Sequence, residues 1–200
     1  RGYFLHECYR QSLYGLAEMY QGRIAQGIAA LDELLEQADN QSAADLRRPN
    51  PVLTALPKGL GAFGHYLLGD YAEAENLLQE CLPYIKTGSF IECTALAYTA
   101  QVRLLAQQGR FAQARRVLDD LESLALARDW PRLQARALLE RVRLHLLELE
   151  EELVVALLRL RRVDDEGAPD VGAVRLVPRA ERARDRAVVQ LLVGRLRRWL

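Results

Sequence analysis

The chain reads as an all-α protein, a right-handed solenoid of antiparallel helix pairs, with about four pairs and a terminal helix. Three observations predict this. A glycine turn followed by a bulky residue and then a small one recurs, as Gly22-Ile24-Gly27, Gly69-Tyr71-Ala74 and Gly109-Phe111-Ala114. The bulky residues of successive copies stand 47 and 40 positions apart, and a period near 40 belongs to stacked helix pairs that bury their apolar faces only against neighbours. Between the turns, apolar residues recur at helical spacing. Hydrophobic residues make up 50% of the 200 positions, enough for a sizeable core, and charged residues 27%, enough for a solvated surface.

Each element follows from local chemistry. Residues 3–21 carry Tyr9, Leu13, Leu16, Ala17 and Tyr20 at helical spacing, with Gly15 and Ala17 as small residues where a neighbour can approach. After the turn at Gly22, a helix runs from Ile24 to about Gln37. The polar stretch Asp39–Pro51, ending Pro49-Asn50-Pro51, reads as a loop and explains the longer first spacing. The second pair covers Val52 to Leu68 and Tyr71 to Tyr84. Pro57 lies early in its first helix, where a missing N–H is best tolerated. Gly69 can take a positive φ and end that helix. Asp70 can cap the next, with Glu73 in capping-box spacing. Tyr71, Ala74 and Leu78 then share a face, and Cys81 follows on it as a packing residue.

Lys86-Thr87-Gly88-Ser89 separates the third pair, Phe90 to Gln108 and Phe111 to Arg128, joined at Gly109. Asp129-Trp130-Pro131 opens the fourth, whose first helix runs from Arg132 to about Leu147. The next turn in the series falls at Leu149-Glu150, where the glycine is lost. Leu153–Arg162 is then either a second helix or part of one continuous helix. The resulting organisation is 1–162 helical repeats, 163–178 a mobile loop rich in Asp, Gly and Pro, and 179–200 the first helix of a further, truncated repeat. Because the sequence starts at Arg1 and stops at Leu200 inside segments of helical pattern, it reads as a piece of something longer.

Charge excludes some functions. Lys+Arg and Asp+Glu both count 27, so no global field favours nucleic acid. The Arg-rich end, Arg179 to Arg198, is interleaved with Glu181 and Asp185 and reads as an amphipathic repeat helix. No apolar run is long enough to span a bilayer, and no signal peptide is visible. Cys8, Cys81 and Cys93 are odd in number and irregular in spacing, as expected of free thiols in a reducing cytoplasm.

Several motifs have plain structural readings. Gly59-Leu60-Gly61-Ala62-Phe63-Gly64 spells G-x-G-x-x-G, but Pro57 precedes it and a helical pattern runs through it. Small residues for close helix contact explain it better than a dinucleotide site, which needs a preceding strand. His6, Cys8, His65 and Cys93 lack metal-ligand spacing, so neither a metal nor another cofactor is expected. Glu148 and Glu150–Glu152 read as a solvated acidic stretch, and no nucleophile–base arrangement stands out, so no catalytic residue is expected.

Binding residues follow from the repeat. In stacked pairs the first helices line a concave groove. Eight positions before each bulky turn residue stand Leu16, Phe63 and Arg103, and one period later Arg143. Tyr9, Tyr20 and Tyr66 are neighbouring groove positions. Aromatics can hold a flat or apolar body, and arginines a carboxylate or phosphate. Equally, the aromatics can pack between repeats and the arginines can pair with Glu140, Asp119 or Asp120.

Gly15 and Ala17 before Gly22, and Gly69-Asp70-Tyr71 with Ala74, resemble tetratricopeptide repeats. The longer period and the wording Gly-Asp-Tyr-Ala-Glu-Ala-Glu look like the helical-repeat region of MalT-like, LuxR-family, ATP-dependent transcriptional regulators, best over residues 60–160. That resemblance implies a noncatalytic region that senses a small-molecule inducer or regulatory protein, flanked by an ATPase and a helix-turn-helix, with possible self-association. The chain holds no G-x-x-x-x-G-K-[ST], so ATP is not assigned to it, and DNA would be reached only through a domain outside it. The alternative is a general interaction scaffold that binds a peptide or helix in its groove.

Overall fold

The computed structural model describes residues 2–44, 50–88 and 90–166. Among these residues every regular element is a helix: α1 (Gly2–Tyr20), α2 (Ile24–Ala44), α3 (Pro51–Leu68), α4 (Tyr71–Gly88), α5 (Ile91–Gln107), α6 (Phe111–Ala127) and α7 (Pro131–Glu166). The chain forms two compact units, Arg1–Leu144 and His145–Leu200.

The expected turn glycines all lie in the left-handed region, with φ of 82° at Gly22, 82° at Gly69 and 70° at Gly109. Each turn closes by the same pair of hydrogen bonds. At Gly69 its N–H donates to the Tyr66 carbonyl (3.1 Å) and the Asp70 N–H to the His65 carbonyl (2.9 Å). The α6–α7 junction repeats this without glycine: Asp129 takes φ 52°, and the Trp130 N–H donates to the Ala125 carbonyl at 2.9 Å. Asp70 sits opposite His65, with 3.1 Å between Oδ2 and Nδ1. At the start of α3 the Asn50 side chain accepts from the Val52 N–H at 3.0 Å, ahead of Pro51 in the first turn.

In the first unit, α3 is the central element and touches α1, α2, α4 and α5. Its residues Thr54 to Pro57, and Gly59 to Gly64, are buried. A Cβ on Gly59 would lie 2.6 Å from Ile85 Cδ1, and one on Gly64 would lie 2.8 Å from Ile28 Cγ1 and from Met19 Cε. The G-x-G-x-x-G string is therefore a helix interior that is small so that four other helices can close on it. The α1–α2 contact is tighter still, since a Cβ on Gly27 would stand 2.6 Å from the Gly15 carbonyl oxygen. Leu31, Leu60, Ala74, Leu78, Cys81, Ala114 and Leu118 are fully buried. Tyr71 does not join Ala74 and Leu78 inside: it is 43% exposed, its ring 5.8 Å from that of Tyr66.

Three elements outrun their expected limits, and the first is α4, which runs past Tyr84 into the expected separator as far as Gly88. Helix α2 continues to Ala44 through residues expected in a loop, and α7 passes through Leu149–Glu152 to Glu166. Neither stretch contains glycine or proline, and Leu, Glu, Gln and Ala sustain a helix once it has started. The second unit contributes the latter part of α7, where Leu149 and Leu153 are exposed and His145 Nδ1 lies 3.9 Å from Glu148 Oε2. Residues 167–200, which hold most of the expected loop and all of the expected terminal helix, lie outside the described residues. Among the described residues no helix is long and apolar enough to cross a membrane.

Candidate functional site

Helix α7 carries Arg132, Arg136, Glu140 and Arg143 on one face, at steps of four, four and three residues. Helix α5 presents Thr99 and Arg103 to them, one turn apart. The Glu140 side chain is only 1% exposed, and it accepts from Arg103 Nε (3.0 Å) and Nη2 (2.6 Å) in a two-pronged pair. Arg136 Nε stands 3.8 Å from the same carboxylate and donates to Thr99 Oγ1 at 3.2 Å. Burying a carboxylate so deeply is costly unless it is paired and hydrogen-bonded in this way.

Arg143 is half-buried and lies among Arg103, Arg136, Glu140 and Tyr66. Burial first, and then the charge of Arg103, loosens its hold on its proton, with Glu140 and Tyr66 acting the other way. Its buried Nε has no hydrogen-bond partner among the described residues. Two guanidinium groups thus share one carboxylate with a third nearby, and the group of four carries a surplus of two positive charges.

Arg136 also belongs to a cleft of about 120 Å³ whose lining includes Tyr20, Ile91, Glu92, Arg132 and Leu133. Tyr20, on α1, is 63% exposed and forms one lip of it. Partial burial and the charge of Glu92 push the Tyr20 phenol above its ordinary pKa, while Arg136 and Arg132 oppose this. The cleft therefore mixes apolar and charged side chains in its lining.

The residues expected to line a groove fall into two groups. Arg103, Arg143 and Tyr66 come together, and Tyr20 borders the cleft that shares Arg136 with them. Leu16 and Phe63 lie in the hydrophobic core instead, and Tyr9 packs against Phe90 with ring centroids 4.7 Å apart. Of the acidic partners considered for the arginines, Glu140 takes Arg103, while Asp119 pairs with Arg141 (2.9 Å) and Asp120 with Lys86 (3.6 Å). Sequence reasoning missed Arg136, Arg132 and Glu92. The first two were within reach, because they are the same-face positions met on stepping back along α7 from Arg143. Compared with known proteins, the chain matches no family model, no curated protein and no solved structure.

Proposed function

We propose that the chain is a noncatalytic sensing module, a tetratricopeptide-like solenoid of the kind found in MalT-like, LuxR-family transcriptional regulators, working in the cytoplasm. The solenoid reading is supported by the contacts. Neighbouring odd-numbered helices touch, α1 with α3 and α3 with α5. Arg136 meets Thr99 and Glu140 meets Arg103, both at a separation of 37, as parallel helices one repeat apart require. Arg141 reaches back to Glu122 and Gln134 to Ala125, so that α6 and α7 run in opposite directions.

The observation that carries the functional reading is the cleft between Tyr20, α5 and α7. It brings an aromatic ring, apolar residues and a few charged groups together in one small concavity, the kinds of group that small-molecule sites use. An effector that binds one arrangement of these helices better than another shifts the population toward it, and attached domains respond. Thermal unfolding of the chain against a panel of small metabolites tests this. A true effector raises the stability of wild type, by about 2.7 kcal/mol at a hundred times its Kd, and this gain is lost in Tyr20→Ala. A panel in which nothing stabilises the chain refutes the reading. The second reading, a scaffold for a partner helix, draws on Leu138, Leu139 and Val142, which are 60%, 59% and 52% exposed on α7. Binding of an amphipathic peptide that Val142→Asp abolishes and Tyr20→Ala leaves intact would favour it.

A further inference from the structure

We infer that the effector is a small anion whose carboxylate or phosphate group sits on Arg143 beside Tyr66, with Arg136 adding attraction from further along the same face. This rests on the sensing reading and narrows it to a ligand class. The charges carry the argument. Arg103 is committed to Glu140 through both prongs of its guanidinium. Arg136 has one weaker approach to that carboxylate at 3.8 Å and a neutral partner in Thr99. Arg143 has a buried Nε without an acceptor among the described residues, and Arg103 and Arg136 beside it.

A half-buried guanidinium among like charges is unfavourable unless an anion joins it. The fork of an arginine matches two oxygens of a carboxylate or phosphate better than any other common ligand group. Arg136 and Arg143 are two turns apart, about 10 Å along the axis, with Glu140 between them, so a guanidinium flanks it on either side. An incoming anion is repelled by Glu140, but the three arginines outweigh that single charge. Glu140 is then a positioning residue: it holds Arg103 and keeps the cluster from carrying three unbalanced charges when nothing is bound. Because Arg136 also lines the cleft, an anion with an apolar body has a place for that body further along the same face.

The test is calorimetric titration of the full chain with inorganic phosphate and, separately, with succinate, at fixed ionic strength so that general salt effects cancel. The expected result is saturable binding of at least one, and which one binds separates a phosphate from a carboxylate ligand. Arg143→Gln weakens it at least tenfold, Arg143→Lys weakens it less, and Arg116→Gln, on the exposed side of α6, leaves it unchanged. Circular dichroism establishes that each variant is folded, and Arg143→Lys keeps the comparison usable should Arg143→Gln unfold. Absence of saturable binding, or binding that Arg143→Gln or Arg143→Lys does not alter, overturns the inference. If neither anion binds but a neutral panel compound stabilises the chain through Tyr20, the anion inference fails and the sensing reading stands. If no compound of any charge binds, both fail.

Discussion

Arg143 is kept in a setting that favours its removal. Replacing it with Met retains an unbranched apolar stem and deletes a charge that is partly desolvated and close to Arg103. Arg143→Met is expected to stabilise the ligand-free chain by up to about 1 kcal/mol, since water still reaches part of the group and screens it. Urea unfolding at low and high salt checks this, and the gain should shrink as salt rises. Glu140→Ala has the opposite sign, a loss of about 3 kcal/mol, because Arg103 loses its buried partner. At this scale the sequence was only partly readable. A fixed offset from each turn found Arg103 and Arg143, but the same offset also picked Leu16 and Phe63, which burial draws inward. Offset locates a face of a helix; the chemistry of the side chain decides whether it stays on a wet one.

Individual helices were more legible, because their ends are set by local backbone chemistry. Gly22, Gly69 and Gly109 mark turns in which φ is positive, and a side chain added there meets nothing within 4 Å. The cost of Gly69→Ala is therefore conformational alone. It is expected to lower stability by about 1 kcal/mol with no change in the urea m-value. Gly64→Ala would be damaging for a different reason, as its methyl group collides with Ile28 and Met19 inside the core. The junction without glycine between α6 and α7 was legible as well, since α7 starts at Pro131 where Asp129-Trp130-Pro131 was expected to open it. Asp129 turns the chain at φ 52°, a conformation that aspartate adopts more readily than most residues. Conversely, polarity alone at Asp39–Ala44 and a broken repeat at Leu149–Glu152 stop nothing, since no residue there opposes the helix.

For the molecule at large, the all-helical character of the described residues was plain from periodicity, whereas the division after Leu144 was not, because α7 crosses it without a break in sequence or backbone. Stability at alkaline pH is also a property of the whole. Burial pushes the Cys81 thiol up to about 12 from an ordinary value of 9.0. Burial likewise raises Tyr98, with Lys86 opposing. As pH climbs past 9.0, the unfolded chain loses the Cys81 proton that the folded chain retains until about 12. The unfolded state then binds fewer protons, so stability falls with rising pH, by about 1.4 kcal/mol per unit from this group. Urea midpoints from pH 8 to 11 should decline, and Cys81→Ala, though less stable at neutral pH, should decline less steeply.

All three natural cysteines, Cys8, Cys81 and Cys93, are shut away from solvent. A folded chain will consequently ignore maleimide dyes, and a single cysteine introduced in place of Gln21, exposed and next to Tyr20, would take up the label without any other position being altered. A fluorophore fixed there would stand beside the cleft and report, as a change in brightness, whatever enters.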